Sequence, residues 1–307
     1  MTVSGEASIS SGAVTIASSQ VSAPGIEVEA SGNVTIESGS KSCFKSLGGK
    51  NLTISRNSKL STDTLDDFSD MEIQNSSNLT ASGEASISCG AIKVDSGSVV
   101  SVPGAEVSAD GDIIVQSGSQ GCLKSLSGKN LTVQSGADLT LETLGNVDNI
   151  TVMNSSNLDV KEASSISSGA IGVSYTSKFD APKLTVKTGG DVTVENGAKL
   201  CVKSVEMNNL KVRAGSVVKA ENLDVQIGAE ILNYGTAYTD KFTCGNVRQD
   251  ALNSNLIVTG KLIVTEGKDS YLYSAGINSF EVKGTLKDLL GNKISAYKSD
   301  AFYVTGS

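Results

Sequence analysis

Through most of the chain, apolar residues recur in short alternations set between clusters of Ser, Gly and Asn. Val14-Thr15-Ile16, Leu52-Thr53-Ile54, Leu131-Thr132-Val133, Ile150-Thr151-Val152 and Val192-Thr193-Val194 share one form. A period of two, bounded by turn formers, predicts short strands whose outer residues face a core while the central Thr faces solvent. Such strands begin at Val14, Val34, Leu52, Met71, Ile92, Ile113, Leu131, Ile150, Ile171, Val192, Leu210 and Leu223, at intervals of 18–21 residues until a last step of 13. A second inward position follows, at Val21, Leu60, Leu79, Val100, Leu139, Leu158, Phe179, Leu200 and Val218.

A longer period overlies this beat. Ser4-Gly5-Glu6-Ala7-Ser8-Ile9-Ser10 returns as Ser82-Gly83-Glu84-Ala85-Ser86-Ile87-Ser88, and Asn75-Ser76-Ser77-Asn78-Leu79 as Asn154-Ser155-Ser156-Asn157-Leu158. Pro24, Pro103 and Pro182 stand 79 positions apart, and so do Cys43, Cys122 and Cys201. Four beats fill one such unit.

The pattern predicts an all-β fold, a single-stranded parallel β-helix (β-solenoid) with coils of about 20 residues. One coil buries too few side chains to hold itself together. Stacking the next at about 4.8 Å pairs its backbone groups and extends the core. A β-sandwich fits less well, because Asp110-Gly111 and Asn196-Gly197 are the only dipeptides suited to tight hairpins. The solenoid is expected over residues 1–232 in three units, 4–81, 82–160 and 161–232, the third being the most diverged. In residues 233–307 the beat fades, nine of the 13 aromatics gather, and Leu286-Lys287-Asp288-Leu289-Leu290-Gly291-Asn292 reads as a helical turn. That segment is expected to cap the strand edges or to begin a different module.

Composition narrows the function. The net charge is −8 and the 25 Lys and Arg residues are scattered, which argues against nucleic acid as a partner. No apolar run approaches the 18–20 residues of a membrane span, so no membrane insertion is expected. Met1-Thr2-Val3-Ser4-Gly5 lacks the basic and apolar regions of a signal peptide, and a segment cut from a longer chain is expected.

Candidate chemistry is sparse. His is absent, which removes the commonest general base and zinc ligand. Asp63, Asp66, Asp67 and Asp70 form the densest carboxylate group; a weak Ca²⁺ site there is weighed against a solvated corner, and the latter is favoured. Cys43, Cys122 and Cys201 lie four coils apart, too far to pair with one another, and are expected to be buried, reduced thiols. The outward column Thr15, Thr35, Thr53, Glu72, Lys93, Ile114, Thr132, Thr151, Gly172, Thr193, Lys211, Asp224 is too interrupted for an ice-binding ladder. Seven Asn-x-Ser/Thr sequons follow from the composition of the repeat. No catalytic, cofactor-binding or metal-binding residue is assigned, no cofactor is expected, and the chain is read as not an enzyme.

The coil Asn130-Leu131-Thr132-Val133-Gln134-Ser135-Gly136-Ala137-Asp138-Leu139-Thr140-Leu141, like Gly32-Asn33-Val34-Thr35-Ile36-Glu37-Ser38-Gly39, resembles the repeats of filamentous-haemagglutinin-type and autotransporter adhesins. The resemblance implies a secreted β-helix displayed on a bacterial surface. The 79-residue period and five Cys depart from that family. The expected role is a structural shaft, adhesin- or filament-like. The alternatives are a glycan-binding or glycan-cleaving β-helix and a phage fibre segment. An aromatic platform beside carboxylates would favour a surface glycan as partner, and none is read within the coils. End-to-end self-association, or pairing with neighbouring repeats of a longer chain, is expected through the first coil, where Ile9, Val14 and Ile16 form an apolar edge.

Overall fold

The computed structural model describes residues 1–249 except Ser4, Asp67 and Asn233, together with residues 255–264, 272–274, 280–282, 285–288, 296–297 and 302–304. The ladders stack strand on strand in parallel, coil after coil, and the fold is the all-β parallel solenoid that the beat predicts. The chain divides into two compact units, Met1–Val147 with Ser156–Leu158, and Asp148–Ser155 with Asp159–Ser307.

In the first unit each coil has three faces. On face A the column Val14, Val34, Leu52, Met71, Ile92, Ile113, Leu131 is built by successive pairings. Face B stacks Leu60, Leu79 and Val100, and face C stacks Val28, Leu47 and Leu65. Alternation turns these side chains inward, and Val34, Ile36, Leu47, Ile54 and Ile73 are fully buried. Removing such surface from water drives folding at about 25 cal/mol per Å².

Each corner has its own chemistry. Between faces A and B two successive residues adopt left-handed backbone: Ser38-Gly39, Arg56-Asn57, Asn75-Ser76, Ser96-Gly97 and Ser117-Gly118, with φ of 56–73°. Gly and Asn tolerate this region best, which accounts for the composition of the turns. The next residue is a buried serine: Ser40, Ser58, Ser77, Ser98 and Ser119. The Oγ of Ser58 accepts the amide of Ser40, that of Ser77 the amide of Ser58, and that of Ser98 the amide of Ser77, each at 3.2 Å. Polar groups are thus satisfied inside an otherwise apolar bore.

Between faces B and C the ladder slips, and Pro24 and Pro103 occupy that corner. Pro182 takes the same kind of corner in the second unit. All three are exposed, where the missing N–H costs no ladder bond. Between faces C and A the coils approach so closely that the Gly111 amide bonds the Gly90 carbonyl, and a Cβ on Gly111 would collide with that oxygen. On face A, cross-coil amide pairs recur once per 79 residues. Asn51 donates to Asn33 at 3.2 Å, Asn130 to Asp112 at 2.7 Å and Asn209 to Asp191 at 2.8 Å. Asn51 and Asn130 are sequon residues whose side-chain amides are thereby engaged.

The second unit repeats this plan and corrects the frame of the last coils. Leu223 stacks on Val205 of face C, and face A continues at Ala229-Glu230-Ile231 over Leu210-Lys211-Val212. Glu230, not Asp224, therefore follows Lys211 in the outward column. Leu223-Asp224-Val225 has the apolar–polar–apolar form itself, while Ala229 is a weak apolar signal; the short step of 13 was a change of face. Pairing also runs past residue 232. Thr236–Gln249 stacks on Val217–Ile231, Asn255–Val264 on that strand, then Phe280–Val282 and Thr285–Asp288, then Phe302–Val304. Leu286-Lys287-Asp288 is strand, not a helical turn, and residues 289–292 lie outside the described residues.

Candidate functional site

Face B carries the repeated cysteines, and it turns them outward. In Lys199–Val212, Leu200 and Val202 are buried and Cys201 stands between them, so the pleat directs its thiol to the surface. Cys43, between buried Ser42 and Phe44, and Cys122 follow the same parity, and all three are partly exposed. The expectation of buried thiols at these positions is overturned. Cys89 and Cys244 are the buried pair, and among the described residues none of the five forms a disulfide. Burial, and secondarily Asp224, pushes the Cys244 thiol far above the ordinary range.

In the 63–70 segment, Asp63 and Asp70 bond the following coil. Asp63 accepts from the Ser82 hydroxyl at 3.1 Å and Asp70 from the Ala91 amide at 2.9 Å. Asp67 lies outside the described residues. No group of three metal-ligating side chains occurs among the described residues. An open groove of about 410 Å³ runs past Gly49, Phe68, Ser69, Ser88, Cys89 and Gly90, with Asp110 at its side.

The most distinctive surface is face B of the second unit. Register places Asp180, Cys201, Lys219 and Tyr238 in one outward column over four successive coils. Beside it runs Lys178, Lys199, Val217, Thr236. Asp180 lies 2.5 Å from Lys178 and holds its ammonium above the usual range. Burial, then Asp180, raises the Cys201 thiol, against the opposing pull of Lys219 and Lys178. The Lys219 ammonium sits 6.0 Å from the centre of the Tyr238 ring, the outer limit of a cation–π contact. Tyr238 is 39% exposed, and Tyr175 and Tyr234 are exposed at the corner that leads into this face.

That aromatic was missed because the frame slip at Leu223 left Tyr238 outside the coils. The register signal was available, since Gly235-Thr236-Ala237-Tyr238-Thr239 follows Tyr234 as Ser216-Val217-Val218-Lys219-Ala220 follows Gly215. The corresponding outward positions of the first unit, Ser22, Cys43, Ser61, Thr80, Ser101 and Cys122, hold only small side chains. The chain matches no family model, no curated protein and no solved structure.

Proposed function

We propose that this chain is a non-catalytic structural shaft of a secreted or cell-surface protein, of the adhesin or filament type. The observation that carries the reading is the uniformity of the coils. Ladder steps of 18–21 residues join face A from Val34 to Leu131, with no insertion long enough to wall a catalytic cleft. A chain without His also lacks the side chain most used for proton transfer near neutral pH. Backbone ladders and an internal serine column give a stiff scaffold whose outer faces are free to vary, which suits display at a surface. Protease treatment of intact source cells tests this: the chain is expected to be digested while cytoplasmic markers survive. Protection until the cells are lysed would contradict surface display.

A further inference from the structure

We propose that face B of the second unit binds an acidic, uronate-bearing oligosaccharide. In this arrangement a sugar ring stacks on Tyr238, and carboxylates are met by Lys219 and Lys199.

The first support is the aromatic itself. Tyr238 projects from the middle of a strand on a flat face, beside the Lys219 ammonium, where small side chains occupy the first unit's column. An aromatic face presents an apolar plate to the C–H side of a pyranose, and its hydroxyl remains in water. The second is positive charge held outside direct ion pairs. Lys178 is paired with Asp180, but among the described residues neither Lys199 nor Lys219 makes an ion pair. Lys178 and Lys199 are neighbours in register; Asp180 and Asp159 both act on Lys178, and Lys199 stands one coil farther on.

The third support comes from comparing the repeats. Lys45 and Lys124 reach carboxylates of the preceding coil, Glu27 at 2.9 Å and Glu106 at 2.8 Å. Those glutamates stand in register with Ser46 and Ser125. At the equivalent place beside Lys203 the partner of Ser204 is Thr185, so that acid is lost. Glu221 is the acid of the following coil, and it makes no ion pair with Lys203 among the described residues. Cationic side chains thus gather beside an aromatic in a chain whose net charge is −8.

The geometry favours a linear carbohydrate. The outward residues repeat at the coil spacing of about 4.8 Å, close to the advance of one pyranose along an extended chain. Asp180, partly exposed at one end of the column, supplies an acceptor for a sugar hydroxyl. For an exposed strand face, millimolar to micromolar affinity and a strong salt dependence are expected.

Calorimetric titration of the full chain with tetragalacturonate at low ionic strength tests the proposal, with cellotetraose and tetraglutamate as controls. Saturable binding of tetragalacturonate is expected, weakened about tenfold or more by Tyr238→Ala or by Lys219→Ala. Tyr238→Phe, which keeps the ring, and Lys45→Ala, a paired lysine of the other unit, are expected to leave it unchanged. Should Lys219→Ala lower the unfolding midpoint, Lys219→Gln replaces it. No binding at millimolar ligand, equal binding of cellotetraose, binding of tetraglutamate as tight as that of the saccharide, or indifference to both the tyrosine and lysine substitutions would each overturn the proposal.

Discussion

The hydroxyl of Ser58, wholly buried, accepts the backbone amide of Ser40 from the preceding coil at 3.2 Å. The same bond recurs up the bore of the first unit, and in the second unit Ser216 accepts from Ala198 at 3.2 Å. Ala137 and Ala198 occupy equivalent positions, so the column tolerates a methyl group. The Ser40 amide keeps a second, longer bond to the Glu37 carbonyl at 3.3 Å. Ser58→Ala is therefore expected to cost about 1 kcal/mol rather than the full penalty of a buried orphan donor. Urea unfolding of the variant checks this, and an unchanged midpoint would remove the serine column from the account of stability.

Thiol reactivity follows from strand parity. In native protein Cys43, Cys122 and Cys201 are expected to react with iodoacetamide well before Cys89 and Cys244. Cys201 has a raised pKa, so its thiolate fraction at pH 8 is reduced and its rate is expected to keep climbing above the range where a free thiol levels off. Peptide mapping after timed alkylation at several pH values reads both effects. Labelling of Cys244 as fast as Cys43 would contradict the assignment of faces.

The corner between faces C and A sets a steric limit. Gly111→Ala drives a methyl group into the Gly90 carbonyl, and a loss of about 1–3 kcal/mol is expected. Gly172 offers the opposite case. It lies on face A between Thr151 and Thr193, with nothing near its missing side chain. Gly172→Thr restores a threonine column, and a gain of about 0.5–1 kcal/mol is expected. Thermal midpoints of the two variants, which should move in opposite directions, provide the check.

Most of the fold was legible because stacking forces every coil to repeat the same inward positions. Val34, Leu52 and Met71 announce one another at 18 and 19 residues, and Pro24 and Pro103 mark one corner type. What stayed hidden was which face a short alternation belongs to. Leu223-Asp224-Val225 fits any face, and only the pairing partner Val205 places it. The cysteine error had a different source. Leu200 reads as inward, which already makes Cys201 outward, whereas the usual burial of free Cys points the other way and the pleat prevails. The inward turn of Ser40 and its relatives is not legible, because polarity alone does not reveal a hydroxyl turned into the bore.

The central claim is that one 79-residue unit makes four coils, and the native thiols of the first unit measure it directly. Cys43 pairs in register with Ser61, Ser61 with Thr80, Thr80 with Ser101 and Ser101 with Cys122. Four steps of about 4.8 Å place the two backbones about 19 Å apart. With Cys89→Ser, Cys201→Ser and Cys244→Ala removing the other thiols, nitroxides on Cys43 and Cys122 report that separation by dipolar electron spin resonance. A single narrow distribution near 20–25 Å, allowing for the label arms, is the expected result. A maximum beyond about 35 Å, or a broad distribution without one, would contradict the four-coil unit.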